Sequence, residues 1–282
     1  MRGIAKKFSA CEDVEVEMES ELPFTVRKWG HSDVSQEDAA ATAREAVQAM
    51  IDRFRKQGAL GTYPYSQTRR PEELIEDLSV AGTDNEMLVT RNGYGALVLN
   101  TSRVMFADVD FEHISVLRRL RGWLTGNRPD PQAQVLARLE LWLKGHRGWG
   151  IRVYRTFNGL RLLITHELFD PVSQQTHDLM TSMGCDPLYV KLCGVQESFR
   201  ARLSPKPWRV RYSAPPNRYP RGDAEAQARF DAWLNAYEQR SKAYAICHHV
   251  KTLGTRSYRR EVDAVVHVHD RYCNVSSGLP LA

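Results

Sequence analysis

The segment Met105–Phe111, with the sequence MFADVDF, places two carboxylates at the end of an apolar strand. Successive side chains of a strand point to opposite faces, so Asp108 and Asp110 project from the same face. Two like charges that close repel each other, and a divalent cation between them would offset the repulsion. Mg²⁺ and Mn²⁺ prefer carboxylate oxygens and accompany phosphates. The segment predicts a metal-binding strand end or, alternatively, a solvated one.

Further apolar strands lie on either side of this segment. Met87–Arg91 and Ala96–Asn100 flank an Asn-Gly pair, which favours a tight hairpin because both residues tolerate positive φ. Gly150–Thr156 and Arg161–His166 flank a second Asn-Gly pair. We therefore expect the two carboxylates at the far end of a small sheet, with a second hairpin later in the chain.

Helices are predicted from capping residues and from apolar residues at i, i+3, i+4 and i+7. They cover residues 35–58, 71–78, 114–124, 130–145, 170–184 and much of the tail after residue 222. Residues 195–203 resemble a strand, and residues 1–34 are either an arm or a strand without an identifiable partner. This alternation predicts a mixed sheet flanked by helices, in the α+β or α/β class.

The overall composition is that of a globular protein. The chain has 282 residues, enough for one large domain or two small ones, with 42% hydrophobic and 26% charged residues. No apolar run approaches the ~20 residues of a membrane span, and the N-terminus lacks the apolar core of a secretion signal. The 5 cysteines are scattered and odd in number, which argues against a disulfide framework. We expect a cytoplasmic protein without membrane contact.

The positive charge of the chain is concentrated in one segment. No acid occurs between Glu197 and Asp223. The positive charges in this segment are more numerous than the net charge of the whole chain, which is +5. These residues are Arg200, Arg202, Lys206, Arg209, Arg211, Arg218 and Arg221. Trp208, Tyr212 and Tyr219 alternate with them, as expected for a groove that binds phosphates and stacks bases. The alternative is a solvated face whose arginines pair with acids elsewhere in the chain.

The tip of the second hairpin is a candidate phosphate site. Its turn places Thr156, Asn158 and the backbone of Gly159 together, with Arg161 just beyond on the return strand. A glycine there permits close approach of a phosphate to the backbone. For the Asn-Gly turn alone, a purely structural role is the better interpretation.

The order of these motifs resembles a known family. The Asp-x-Asp strand is followed by TFNGLR at 156–161, by Cys185-Asp186-Pro187 after a helix, and by FRARLSPKP at 199–207. This order is similar to the catalytic core of the archaeo-eukaryotic primase superfamily, the primase-polymerases. The resemblance covers about residues 87–209. It implies an α+β fold with an RRM-like catalytic core and helical additions at both ends.

The resemblance implies roles for three carboxylates. Asp108 and Asp110 match the first metal-binding pair of the family, and Asp186 matches its third carboxylate. Asp186 also has a structural interpretation, because it precedes Pro187 and follows Gly184, where an aspartate often caps a turn or helix. Both interpretations of Asp186 stay open at this stage.

The resemblance also implies phosphate contacts. Thr156 and Gly159 fall on the serine and glycine of the family's second motif, and Arg161 replaces the histidine that contacts the phosphates of the incoming nucleotide. Arginine can also bind phosphate, bidentately and always charged. Arg202 and Lys206 would lie beside the template or the triphosphate. The basic and aromatic composition of the segment, rather than the resemblance, predicts that Arg200, Trp208, Arg209 and Arg211 contact nucleic acid.

The implied function is template-dependent nucleotide addition by a nucleotidyltransferase that binds Mg²⁺ or Mn²⁺ through Asp108, Asp110 and Asp186. Its partners would be a DNA or RNA template, nucleoside triphosphates and a separate helicase or replication protein. The expected regions are 1–85, a helical region packed on the core; 86–221, the catalytic core; and 222–282, a helical extension. The alternatives are a catalytically silent binding module and a metal-dependent nuclease.

Cysteine and histidine recur near the end of the chain. Cys247 is followed by two histidines, and His269-Asp270 precedes Cys273. Thiols and imidazoles can bind zinc, but this spacing matches no strong zinc pattern. Core packing is the better interpretation of Cys247 from sequence.

Overall fold

The computed structural model describes residues 8–18, 21–57, 71–111, 130–255 and 259–282. The helix predicted at 114–124 lies outside these ranges. The strands are β1 Phe8–Met18, β2 Glu21–Ser32, β3 Glu73–Asp77, β4 Met87–Arg91, β5 Leu97–Thr101, β6 Phe106–Asp110, β7 Gly150–Thr156, β8 Gly159–Ile164, β9 Phe199–Arg202 and β10 Cys247–Gly254. The helices are α1 Gln36–Gln57, α2 Pro131–Lys144, α3 Gln174–Ser182, α4 Pro187–Gln196, α5 Ala224–Ser241 and α6 Arg260–Tyr272, with a 3-10 helix at Pro207–Val210.

The described strands form three antiparallel sheets. β1 and β2 pair as a hairpin, one four-stranded sheet has the order β10-β7-β8-β6, and the other has the order β3-β4-β5-β9. Antiparallel sheets with separate helices make this an α+β protein, as predicted. No helix in the described ranges is long and apolar enough to span a bilayer.

The two four-stranded sheets share the main hydrophobic core. Apolar side chains of both sheets pack there with those of α2, α3, α4 and α6. A second cluster joins α5 to the 3-10 helix through Phe230, Trp233 and Val210. A third joins the β1–β2 hairpin to α1. From the tail after residue 222, β10 and α6 therefore pack in the main core together with the predicted core region, whereas α5 packs in the second cluster.

Two predicted helices have the expected caps and buried faces. In α1 the Asp38 N–H donates to Ser35 Oγ at 3.1 Å, and Val47 and Ile51 are buried. In α2 the Asp130 side chain accepts from the N–H of Gln132, and the helix ends at Gly145. These helices confirm that local capping and periodicity predict a helix well where both are present.

The helix predicted at 71–78 is wrong, because this segment contains strand β3. Leu74 and Ile75 are both exposed, so no helical apolar face exists to bury. The acids that suggested a helix start instead pair with arginines: Glu72 with Arg200 and Glu73 with Arg221. Backbone pairing with β4 and these ion pairs replace helical hydrogen bonds.

The first hairpin forms as predicted, but its turn lies elsewhere. Positive φ occurs at Gly95, at 80°, rather than at the Asn-Gly pair. The Asn92 side chain accepts from the backbone N–H of Tyr94 and of Ala96, at 3.0 and 3.1 Å. Asparagine therefore stabilises the turn through its side chain, and the glycine that adopts the left-handed conformation comes three residues later.

Three boundaries in the second half differ from expectation. The helix predicted from residue 170 begins at Gln174, because Ser173 rather than Asp170 caps it. The strand predicted at 195–203 is only Phe199–Arg202, since residues up to Gln196 belong to α4. The predicted helical extension 222–282 contains strand β10, which forms the edge of the β7-β8-β6 sheet.

Candidate functional site

The Asp-x-Asp segment forms strand β6 and pairs with the return strand of the second hairpin. In this register Asp108 lies opposite Arg161, and Asp110 lies opposite Gly159. Val109 between the two acids is buried, whereas the Asp108 side chain is 35% exposed and Asp110 is exposed. Both carboxylates therefore reach the surface on the same face of the strand.

The segment before α4 brings Asp186 to this strand. The N–H of Asp186 donates to the carbonyl oxygen of Asp108 at 3.0 Å, and the thiol of Cys185 donates to the same oxygen at 3.2 Å. The Asp186 Oδ1 accepts from the N–H of Leu188 at 3.1 Å and caps α4. The capping interpretation of Asp186 is thus correct, and the cap occupies one carboxylate oxygen while the other can accept a further ligand.

The three acids influence one another electrostatically. Burial raises the pKa of Asp110, and the charges of Asp108 and Asp186 raise it further. Lys206 and Arg209 act on the same pKa in the opposite direction. Asp110 therefore lies close to both negative and positive side chains. Carboxylates whose pKa values are perturbed in this way are common in functional sites.

In the described residues the three carboxylates do not form a group whose oxygens all lie within 4.8 Å of one another. Among the described residues, only Cys247, His269 and Cys273 have potential ligand atoms that all lie within 4.8 Å of one another. The chemistry of the donors fits hard divalent cations.

Arg161 is a buried partner of Asp108. Its side chain is 2% exposed, and its Nε donates to Asp108 Oδ1 at 3.1 Å. Its Nη1 donates to the carbonyl of Arg202 at 2.9 Å and lies 3.3 Å from His269 Nε2. Burial alone would lower the pKa of Arg161, but the Asp108 carboxylate reverses this effect and the pKa is raised. Arg161 is therefore a permanent internal cation beside the carboxylates.

The residues at the tip of the second hairpin have structural roles, as expected for the Asn-Gly turn alone. The Gly159 N–H donates to Thr156 Oγ1 at 3.2 Å, and the Asn158 carbonyl accepts from the N–H of Phe111. A Cβ on Gly159 would lie 2.3 Å from the carbonyl oxygen of Val109. Glycine is required there because β6 passes against the turn, which holds the carboxylate strand at the hairpin.

Three basic side chains lie beside the carboxylates. Burial, Arg161 and Arg209 lower the pKa of Arg202 to about 10, and its Nε has no hydrogen-bond partner within the described residues. Burial and the neighbouring arginines lower the pKa of Lys206, and Asp110 opposes them. Burial also lowers the pKa of Arg209. Crowded cations with depressed pKa values gain from the approach of an anion such as phosphate.

Exposed aromatic rings surround these cations. Trp208 is 51% exposed and meets Tyr94 of the first hairpin edge to face, with ring centroids 5.3 Å apart. The Lys206 ammonium lies 5.4 Å from the centre of the Trp208 ring. The Arg209 guanidinium lies 4.5 Å from the centre of the exposed Phe157 ring. Trp208 was predicted from sequence; Tyr94 and Phe157 were missed, and their signal is an aromatic residue at each hairpin tip.

Other predicted nucleic-acid contacts have different surroundings. Two oxygens of Glu72 accept from Arg200 Nη2, each at 2.7 Å. Arg221 donates to Glu73 and packs 3.4 Å from the centre of the Phe230 ring. Arg211 is exposed and adopts a left-handed conformation after the 3-10 helix. For Arg200 and Arg221, the interpretation of the basic segment as arginines paired with acids elsewhere is therefore correct.

The candidate site thus combines three acids, three bases and three exposed rings from separate segments. It differs from the predicted set because Arg161 is internal and Arg200 is paired with Glu72. Comparisons of the chain with protein-family models, with curated proteins and with solved structures returned no match.

Proposed function

We propose that this chain is a divalent-metal-dependent nucleotidyltransferase of the primase-polymerase type, which adds nucleotides to a strand on a nucleic-acid template. The observation that carries the proposal is the convergence of Asp108, Asp110 and Asp186 with Lys206 and Arg209 on one surface. The order of the motifs in the sequence supports the same proposal. The proposal includes an RRM-like catalytic core built around strands β7, β8 and β6.

The carboxylates would hold Mg²⁺ or Mn²⁺ through Asp110, through the oxygen of Asp186 that does not cap α4, and through the Asp108 oxygen that does not contact Arg161. Bound ions of this kind lower the pKa of an attacking hydroxyl and stabilise a leaving pyrophosphate. Arg161 holds Asp108 in one orientation, so that carboxylate is fixed before any ligand binds.

The basic side chains would bind the triphosphate of the substrate. Arg202 and Lys206 lie beside Asp108 and Asp110. Burial lowers the pKa of Arg202 and of Lys206. Negative charge placed beside them is therefore favourable, and it stays favourable as charge develops on the leaving group. These side chains, rather than Arg161, supply the phosphate contacts in this proposal.

The exposed rings would bind the bases of a single strand. Trp208 lies in the 3-10 helix, and Tyr94 and Phe157 lie in the turns of the two hairpins. The Lys206 ammonium lies against the ring of Trp208, and the Arg209 guanidinium lies against the ring of Phe157. Stacking on aromatic rings contributes about 1–3 kcal/mol per base and tolerates any sequence. A polymerase that copies a template needs this kind of sequence-independent contact.

The test combines metal binding with strand extension. Thermal unfolding is followed with Mn²⁺ or Mg²⁺, with and without nucleoside triphosphate, and a labelled primer on a template is extended in parallel. We expect wild-type protein to be stabilised by the ions and to lengthen the primer. A ligand at about 100 times its Kd stabilises a protein by about 2.7 kcal/mol.

The variant Asp110→Asn should lose both effects, and Asp84→Asn, an exposed acid in the loop before β4, is the matched control that should retain them. The proposal is wrong if wild-type protein makes no product and the ions shift the unfolding of wild type and of Asp110→Asn equally. Shortening of the labelled strand instead of extension would indicate a nuclease that uses the same acids.

A second candidate is a catalytically silent binding module, and the Arg161–Asp108 ion pair favours it. Arg161 already neutralises Asp108 at 3.1 Å, so part of the negative charge of this surface is balanced without a metal ion. Such a protein would bind single-stranded DNA equally well in Mg²⁺ and in EDTA. A nucleotidyltransferase would bind strand and nucleotide more tightly with the metal ion.

A further inference from the structure

A second group of potential metal ligands lies in the core, apart from the surface carboxylates. It consists of Cys247 on β10, His269 on α6 and Cys273 at the end of α6, and all three side chains are buried. One ligand atom from each lies within 4.8 Å of the other two. The Cys247 Sγ and the His269 Nε2 are 3.8 Å apart.

The backbone holds these three residues in place. Cys247 begins β10 and pairs with Thr156 of β7, so its strand is fixed by the sheet. His269 and Cys273 are four residues apart on one helix, which places them on the same face. The N–H of Ile246 donates to the carbonyl of Cys273 at 3.0 Å and connects the strand directly to the helix end. The spacing is therefore built by two rigid elements rather than by a loop.

This spacing matches tetrahedral zinc coordination. Zinc–sulfur bonds of about 2.3 Å and zinc–nitrogen bonds of about 2.0 Å at tetrahedral angles put sulfur and nitrogen about 3.6 Å apart. The observed 3.8 Å between Cys247 Sγ and His269 Nε2 is close to this value. Only a small movement of the side chains would bring both atoms onto one ion.

The histidine is oriented as metal-binding histidines are. Its Nδ1 lies 3.0 Å from Asp270 Oδ1, so this nitrogen carries the proton and Nε2 faces the two sulfurs. Asp270 is itself held by the Tyr154 hydroxyl and by Arg152 Nη2, each at 2.7 Å. A carboxylate behind the imidazole fixes the tautomer and raises the basicity of the ligand.

The charges around the group balance when a divalent ion is present. Two thiolates neutralise one Zn²⁺, and Arg161, whose Nη1 lies 3.3 Å from His269 Nε2, is neutralised by Asp108. The carbonyl of Arg202 accepts from the Cys273 thiol at 3.7 Å, so an oxygen donor lies next to the site.

We propose that Cys247, His269 and Cys273 bind one Zn²⁺ ion that joins α6 to the edge strand β10. Thiolate and imidazole donors select zinc over Mg²⁺, so this site is chemically distinct from the carboxylate surface. The site has a structural role in this proposal. It does not depend on the function proposed above, and either proposal can fail alone.

The test measures the metal in the purified full chain. Protein is expressed in medium with zinc, purified without chelators, and analysed by mass spectrometry for metals; we expect about one zinc per chain, as in other structural sites. Replacement of zinc by Co²⁺ in wild-type protein should give the thiolate charge-transfer absorption and the intense d–d bands of tetrahedral cobalt. These spectra report on the native protein and need no variant.

The variants Cys247→Ser and Cys273→Ser should lose the zinc and unfold at lower temperature. Cys193→Ser is the matched control, because Cys193 is also a buried cysteine but lies on α4, and it should retain the full zinc content. Wild-type protein that contains no zinc and shows no cobalt–thiolate absorption overturns the proposal. Equal zinc content in wild type and in Cys247→Ser overturns it as well.

Discussion

Arg161 and Asp108 form a partly buried ion pair between neighbouring strands, in which Arg161 Nε donates to Asp108 Oδ1 at 3.1 Å. The arginine is almost fully buried, whereas the carboxylate reaches the surface. The pair therefore connects the interior of the sheet to the candidate site. Removal of the arginine would take one hydrogen-bond donor from the Arg202 carbonyl and leave Asp108 without its counter-charge.

We predict that Arg161→Met destabilises the protein by less than the about 3–5 kcal/mol that breaking a fully buried pair costs, because Asp108 is 35% exposed and water solvates part of its charge. Denaturant unfolding measures this change. Arg103→Met, at an exposed position before β6, is the control and should change stability by less than about 0.5 kcal/mol. Equal stability of the two variants would show that the ion pair contributes little.

Gly159→Ala should also destabilise the protein, because the new Cβ would lie 2.3 Å from the Val109 carbonyl oxygen. Overpacking of this kind costs about 1–3 kcal/mol. Gly93→Ala is the matched control in the other hairpin, since a Cβ there meets nothing within 4 Å. Thermal unfolding of both variants checks the prediction, and a shift in Gly93→Ala as large as that in Gly159→Ala would contradict it.

Trp208→Ala should weaken binding of single-stranded DNA by about 1–3 kcal/mol, because one exposed stacking ring is removed without loss of charge. Fluorescence anisotropy with a labelled oligonucleotide measures the change. Leu141→Ala, which removes another exposed apolar side chain on α2, should leave the affinity unchanged. If Trp208→Ala binds as wild type does, the aromatic surface is not the strand-binding site.

His166 should make the protein less stable in acid. Burial lowers the pKa of His166, although Glu167 opposes this effect. Below pH ~6.5 the unfolded chain binds a proton at this position while the folded chain does not, so stability is present above that pH and is lost as pH falls through the folded pKa.

Replacement of His166 by phenylalanine should therefore reduce the difference in melting temperature between neutral pH and about pH 5. The comparison uses the pH dependence rather than absolute stability, because the ring also packs 4.2 Å from the centre of Trp149. His267→Gln, at an exposed position on α6, is the control. An unchanged pH dependence in His166→Phe would contradict the assignment of the loss of stability in acid to His166.

Local sequence signals predicted the elements whose stability is local. The helix from Asp130 to Gly145 has its cap and its buried residues within one segment, and the structure reproduces both. The hairpin strands around the second Asn-Gly pair were predicted for the same reason. Where the decisive contact came from elsewhere, as for the ion pairs of Glu72 and Glu73, the local signal suggested a helix and the structure has a strand.

The candidate site was predicted in part. The alternation of a strand was enough to place Asp108 and Asp110 on one face, and the motif order suggested Asp186. The motif order predicts Arg161 as a phosphate contact, whereas its burial depends on the register of β6 with β8 and on the helix that carries His269. Sequence spacing contains neither relationship. Tyr94 and Phe157 were missed because an aromatic residue in a hairpin turn does not by itself indicate a function. Only the folded structure places Tyr94 beside Trp208 and Phe157 beside Arg209.

Strand β10 has a consequence for how the protein folds. The sheet that carries the carboxylates takes its strands from residues 106 to 254, so it cannot be completed until most of the chain has been synthesised. Contacts between such distant segments slow folding, because loop closure comes before any stabilising pairing. The backbone N–H and C=O groups on that edge of β7 stay unpaired until β10 arrives. Chains interrupted before residue 247 should therefore aggregate through that edge during synthesis.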